Sequence, residues 1–373
     1  MPDCSSPNPS QPEEAITFTP RRDPFRPGLL RALERSPEKI VILRASRIGD
    51  FINGSPAFRA LRGAYPGAKI DLITLPMLEG LAQRLACFDE IIPFPGYPGL
   101  AEQFFEPARA LAFFQVMQAR QYDLAIQMQG SGVYSNPFVL MLGARWSAGF
   151  VRPGDPPGRL DAALPFPELH EAERNLELLR FLGIPTGPSL PEFPLLPADH
   201  EQAEGLLRGI PGPWIGIHIS ARDRTRRWPA RRFTEAAARL QRIHGGTVIL
   251  IGEARDREEM EAAAAEAGAP FHNLAGCADL PVTGALIRRL SVFLTNDTGP
   301  AHIAYALGAP TVVIFGGGDP ARNGPIVPGP FRVLAYPITC RPCETGECPI
   351  GFRCLESISV EAVVEAAGEI ITR

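Results

Sequence analysis

From Lys39 onward, short apolar runs alternate with longer amphipathic stretches. "KIVIL", "KIDLIT", "DEIIPF" and "YDLAIQM" have strand length and near-continuous apolar character. Between them, "SPAFRALRGAY", "MLEGLAQRLA" and "FFEPARALAFFQVMQAR" repeat their apolar positions at helical spacing. Strands that are apolar throughout are buried on both faces, so this alternation predicts an α/β fold, with a parallel sheet covered by helices. The stretch "IPTGPSLPEFPLLP" at 184–197 breaks the pattern and reads as a linker. The alternation then restarts with "WIGIHIS", "ARRFTEAAARLQRI", "TVILIG", "ARDREEMEAAAAEA", "VTGALIRRL", "VFLTND", "AHIAYALG" and "TVVIFG". "SVEAVVEAAGEIITR" closes the chain as an amphipathic helix that Ser359 is placed to cap.

The expected organisation is a Pro- and Ser-rich disordered tail over 1–37, one Rossmann-like domain over 38–190, a second over 191–356, and a terminal helix over 357–373. Ligands of such open sheets bind beyond the carboxyl ends of the strands. A cleft between two such halves is therefore the expected site.

Composition narrows the function classes. With 45% hydrophobic and 21% charged residues the chain reads as globular and water-soluble. A formal net charge of -4 gives no basic footprint for nucleic acid. No apolar run approaches the roughly 18 residues of a membrane span, and the first residues lack a secretory pattern, so the expected location is the cytoplasm. Lysine occurs only at Lys39 and Lys69, so the cations are almost all arginine.

Four stretches carry candidate chemistry. In "RASRIGDFINGSPA", Asp50 follows the first strand and fits either a general base or a turn acid, with Ser55 and Pro56 marking a helix start. In "IGIHISARDRTRRWPARRF", Arg222, Arg224, Arg226 and Arg227 crowd one loop and suit phosphate or solvent. In "NDTGPAHIAYALGAPTVVIFGGGDP", Asp297 ends a strand and Thr298, Gly299 and Pro300 start a helix. Free backbone N–H groups at that end suit a phosphate, with Thr298 donating from its hydroxyl. His302 lies one turn on, at the same end. In "CRPCETGECPIGFRC", Cys340, Cys343, Cys348 and Cys354 suit a structural tetrahedral Zn or Fe, with free thiols as the other reading.

Taken together and in this order, these motifs resemble glycosyltransferase family 9, the ADP-heptose:lipopolysaccharide heptosyltransferases. The resemblance runs from about Ile40 to the C-terminus. It also takes in "IGEARD", a nucleoside-side strand end, and the cysteine segment found in many members. It implies a GT-B fold, with the acceptor bound by the first domain and the nucleotide sugar by the second. The implied reaction is inverting transfer of heptose from ADP-heptose to the lipopolysaccharide inner core, without a catalytic cofactor. Asp50 then matches the general base. Arg226, Ser220, Thr298 and Gly299 match the diphosphate site, Glu253 the ribose site, and Asp297 the heptose hydroxyls, with His302 grouped among them. The implied acceptor is a lipid-linked oligosaccharide, the lipid A–Kdo core, reached by transient contact with the inner membrane face.

Two departures bear on the sugar. Arg226 stands where members usually carry Lys, and "NGSPA" stands where Thr is common at or beside Ser55. The alternatives are a member using another nucleotide sugar, or a protein acceptor as in a branch whose cysteine finger binds iron. A sugar-nucleotide epimerase of the same architecture and a metal-dependent binding module are the remaining readings.

Overall fold

The computed structural model describes residues 21–371, apart from 101–102, 269 and 344–346. The first half contains β1 (Lys39–Leu43), α1 (Ile48–Ala64), β2 (Lys69–Thr74), α2 (Glu79–Arg84), β3 (Glu90–Pro93) and α3 (Pro107–Ala119). It continues with β4 (Leu124–Gln127), α4 (Ser135–Met141), β5 (Trp146–Val151), β6 (Ala162–Pro165) and α5 (Glu171–Leu182). The second half contains α6 (Pro197–Leu207), β7 (Trp214–His218), α7 (Ala230–His244), β8 (Thr247–Leu250), α8 (Arg257–Ala267), β9 (Phe271–Asn273) and α9 (Leu280–Arg289). It ends with β10 (Val292–Asn296), α10 (Gly299–Leu307), β11 (Thr311–Phe315), α11 (Pro320–Asn323), β12 (Phe331–Ala335), α12 (Arg353–Glu356) and α13 (Val360–Ile371).

Each half is a six-stranded sheet, ordered β3-β2-β1-β4-β5-β6 and β12-β11-β10-β7-β8-β9. Every strand pair is parallel. Both halves are doubly wound in the same order, and the winding reverses between β1 and β4 and between β7 and β10. At such a switch point the loops leave in opposite directions and open a crevice. The central strands are buried beyond their first residues, as their apolar runs require.

Two expectations change. The helix read as starting at Ser55-Pro56 begins at Ile48, with Pro56 inside it. Pro56 has no N–H for the Ile52 carbonyl four residues back, a defect that normally breaks a helix. The Ser55 hydroxyl donates to that carbonyl at 2.7 Å and closes the gap. Of the tail expected over 1–37, residues 1–20 lie outside the described residues, and Cys4 with them. Residues 21–37 pack on the first half. Leu29 is buried in its core, Gly28 N donates to Phe181 O at 2.7 Å, and Ala163 N donates to Pro24 O at 2.8 Å.

The Pro-rich segment between α5 and α6 is pinned to both halves. Glu192 N donates to the Ser55 hydroxyl at 2.8 Å, and Arg59 pairs with Glu192. Phe193 is buried against Gly284 of α9, where a Cβ would lie 2.3 Å from its ring. Arg84 of α2 grips Asp199 of α6 through both guanidinium nitrogens. The terminal helix α13 packs on α7 and β11, and Ser359 Oγ accepts from Ala362 N at 3.2 Å as its cap.

Candidate active site between the two sheets

Asp297 leaves the carboxyl end of β10 and is buried, with 1% of its side chain exposed. Arg226 Nη1 lies 3.2 Å from its Oδ2. That contact is an ion pair without an aligned hydrogen bond, so Oδ2 has no hydrogen-bond partner. Burial pushes the Asp297 carboxyl up to about 6; Arg226 opposes this, and the charges of Asp50 and Asp319 add to it. Gly318, in the glycine triplet after β11, permits this packing, because a Cβ there would lie 2.1 Å from Oδ2. The Asn296 side chain ties the site together. Its Oδ1 accepts from Trp228 N at 2.9 Å and its Nδ2 donates to Ile219 O at 2.8 Å.

The helix α10 begins at Gly299 with Thr298 as its N-cap residue, and no side chain caps it. The Thr298 hydroxyl instead donates to Asn296 O at 3.3 Å. An uncapped helix start is an electropositive end with backbone donors. The arginine loop lies beside it. Of its members, Arg226 faces Asp297. Arg227 donates to Ala221 O and pairs with Glu259, while Arg224 lies over the Phe352 ring at 5.4 Å. Ser220 Oγ is buried at the mouth of β7 and has no partner. Unpartnered buried polar atoms are uncommon in folded proteins and mark places where a ligand or water completes the bonding.

The first half meets this end directly. A Cβ on Gly49 would lie 2.4 Å from His302 Cδ2, and one on Gly299 would lie 3.0 Å from Ile48 Cβ. The two helix starts therefore touch through positions without side chains. His302 is buried against Gly49 and Asn53, with Asn53 Nδ2 at 3.4 Å from its Nδ1. Burial lowers the imidazole to about 4, with His170 and Arg226 adding repulsion, so His302 is neutral near pH 7. It brings no positive charge to the site. Asp50 lies in the first turn of α1, half-buried, close enough for its charge to act on Asp297.

Arg44 and Asn53 escaped the sequence reading. Arg44, 4% exposed, begins the turn after β1 and donates to Asp50 O at 2.7 Å and to Met128 O after β4. A guanidinium among carbonyls thus braces the Asp50 turn across the β1/β4 switch point. Nothing in an Arg beside a strand signals such burial.

Glu253 lies farther out, after β8. Its side chain is 64% exposed and pairs with Arg255 at 3.0 Å. Cys340, Cys343, Cys348 and Cys354 line one pocket with Thr225, Gly316 and Gly317. Cys343 N donates to Gly317 O at 2.7 Å, and Gly317 N to Thr225 O at 2.8 Å, so the cysteine segment backs the arginine loop. Cys348 Sγ accepts from Phe352 N, and burial pushes the Cys354 thiol up. Among the described residues, no three Cys, His, Asp or Glu side chains converge as a metal-ligating group.

The model of glycosyltransferase family 9 (heptosyltransferase) matches residues 110–352. Lipopolysaccharide heptosyltransferase 2 of Escherichia coli K12 is 28% identical over 307 residues, covering 77% of this chain and 85% of that protein. The crystal structure of a family 9 glycosyltransferase from Veillonella parvula superposes with a TM-score of 0.75 at 21% identity, covering 90% of this chain and 97% of that one. The structure of E. coli ADP-heptose lipopolysaccharide heptosyltransferase II gives 0.70 at 24% identity, covering 90% and 98%. The fold is GT-B, and the chain belongs to glycosyltransferase family 9.

Proposed function

We propose that this glycosyltransferase moves a heptose from ADP-heptose onto the inner core of lipopolysaccharide, with inversion at the anomeric carbon. The observation that carries the reading is the meeting of Asp50 with Asp297, Arg226 and the open end of α10 across two switch points. One side offers a carboxylate and the other an anion cradle, as a displacement requires.

Asp50 takes the proton from the acceptor hydroxyl as its oxygen forms the new bond to the anomeric carbon. The bond from that carbon to the diphosphate oxygen breaks, and ADP leaves with the electron pair. Arg226, the backbone at Thr298 and Gly299, and the α10 end meet the growing negative charge, with Ser220 Oγ as a further donor. Asp297 accepts from heptose hydroxyls, and Glu253 from the ribose. A single displacement inverts the centre and needs no covalent sugar–enzyme step. Positive charge from the protein itself serves the leaving group, so the chemical step is assigned no metal.

The cysteine pocket has the donor chemistry for Zn or Fe, but among the described residues no three side chains form a metal-ligating group. It is therefore read as a brace for the arginine loop. The acceptor is lipid-linked and is reached at the inner membrane face from the cytoplasm. That reading is supported by exposed Phe104, Leu111 and Tyr134 on the first half. Among the described residues no helix is long and apolar enough to cross a membrane.

Calorimetric titration with ADP tests the donor assignment. Arg226→Ala is expected to weaken ADP by about tenfold or more, the value of a lost charge-assisted contact, while Asp50→Ala keeps it. If UDP or GDP binds and ADP does not, the heptose donor is excluded within the same fold. Release of ADP without any acceptor would favour an epimerase instead.

A further inference from the structure

Asn53 sits in the second turn of α1 and is 3% exposed. It belongs to the first half, yet its amide reaches His302 of the second, Nδ2 to Nδ1 at 3.4 Å. An amide Nδ2 carries two hydrogens and no free lone pair, so in this contact it only donates. With the amide in this orientation, Nδ1 is the accepting nitrogen. A neutral imidazole has one protonated nitrogen, so the proton is on Nε2. The ring is neutral because it is buried, next to His170 and Arg226. No group among the described residues accepts a hydrogen bond from Nε2. That nitrogen lies beside Gly49, 2.8 Å from where a Cβ would be.

We propose that Asn53 is a positioning residue that fixes His302 as its Nε2–H tautomer, so that the ring offers a hydrogen-bond donor to the diphosphate held at the start of α10. The other tautomer would turn a lone pair toward the anion and repel it. The contact spans the two halves, so the donor site is completed by a residue of the acceptor half. A neutral donor also suits a place already beside the Arg226 cation, where a second charge would be repelled. The ligand assignment rests on the reading of the site as a nucleoside-diphosphate site; the tautomer assignment does not.

The test uses full-length protein labelled with 15N-histidine, its ring nitrogens read by long-range 1H–15N correlation at pH 7.5. His302 is identified by its loss in His302→Gln. The expected wild-type pattern is an unprotonated Nδ1 and a protonated Nε2. Asn53→Asp replaces the donor with an acceptor of the same shape and is expected to move a proton onto Nδ1. Asn53→Leu removes the donor and is expected to give a mixed tautomer and about tenfold weaker ADP binding, the scale of one hydrogen bond to a charged group. A wild-type proton on Nδ1, or no change in Asn53→Asp, overturns the proposal. So does unchanged ADP affinity in a folded Asn53→Leu protein whose tautomer has become mixed. If wild-type protein binds no ADP but shows the expected ring pattern, the donor reading fails and the Asn53–His302 assignment stands.

Discussion

The two halves share one strand order but use their switch points differently. In the second half, the loops after β7 and β10 bring together Arg226, an unpartnered Ser220 hydroxyl and an uncapped helix start. In the first, the helix start after β1 carries Asp50, half-buried, braced from below by Arg44. Both crevices hold an acid, and the two acids differ in their access to water. Asp297 is shut away from water and its carboxyl is pushed up to about 6, while Asp50 keeps access to the cleft. A shared topology thus supplies two places for chemistry, and in the proposed reading the loops decide which place receives an anion and which a proton. The reactive carboxylate is best sought on the more open side, since a base must reach its proton.

The largest effect should follow from removing the open acid. Asp50→Ala is expected to lower kcat by about a hundred- to ten-thousand-fold, the usual contribution of a positioned base. Donor affinity should stay within about threefold. Turnover that fell less than threefold would make the two crevices equal and remove Asp50 from the chemical step. Steady-state rates with saturating donor decide it.

The second prediction concerns the closed acid. Asp297 in the unfolded chain titrates near 4, as carboxylates ordinarily do, and in the folded protein near 6. Its folded value is raised, so the folded state holds the proton more tightly than the unfolded one. The associated stability is present below about pH 4 and is lost as pH rises through about 6. Asp297→Asn removes that titration. The free variant should be more stable than wild type at pH 7.5 by up to about 3 kcal/mol, since a tenfold change in proton affinity on folding is worth about 1.4 kcal/mol. At pH 4 the two should differ little. Thermal unfolding at both values tests the sign. A variant equally destabilised at both would mean that Arg226 stabilises the ionised Asp297 more than burial penalises it. Turnover should fall in the same variant, because the carboxylate is assigned to the sugar hydroxyls.

Much of this arrangement is legible in the sequence. The long apolar runs of β1, β7, β10 and β11, and the acid, arginine and glycine motifs at their ends, announce two sheets facing a cleft. Other parts are hidden for physical reasons. β5 reads "WSAGFV" and β6 "AALP", whose small residues pack closely without an apolar run to mark them. The start of α1 is masked by Pro56, because the hydroxyl that repairs the helix reads equally well as a cap. Residues 21–37 look like a tail because their anchorage rests on one short stretch, with Leu29 in the core and Leu30 and Leu33 packed partly against it. His302 shows its helix end but not its partner, since Asn53 is 249 positions away. Contacts between the halves are where sequence periodicity carries least, and they are where the proposed site lies.

The smallest expected effect tests how the halves are joined. Ser55 is fully buried, and its hydroxyl does two things at once. It donates to the Ile52 carbonyl that Pro56 leaves open, and it accepts from Glu192 N in the segment between the halves. The second-half end of that segment is anchored differently, by Phe193 against Gly284. Ser55→Ala thus loosens the first-half anchor alone. It leaves a helix carbonyl and a linker N–H without partners, each costing about 1 kcal/mol when water does not fully replace the bond. A loss of about 1–2 kcal/mol in unfolding free energy is expected. The Asp50 turn lies one helical turn earlier and is held by Arg44, so kcat should stay within about threefold. If kcat fell tenfold while stability held, the hydroxyl would be acting through the relative placement of the two halves rather than through the local repair of α1, and the cleft geometry would depend on the linker more than on the contact between α1 and α10.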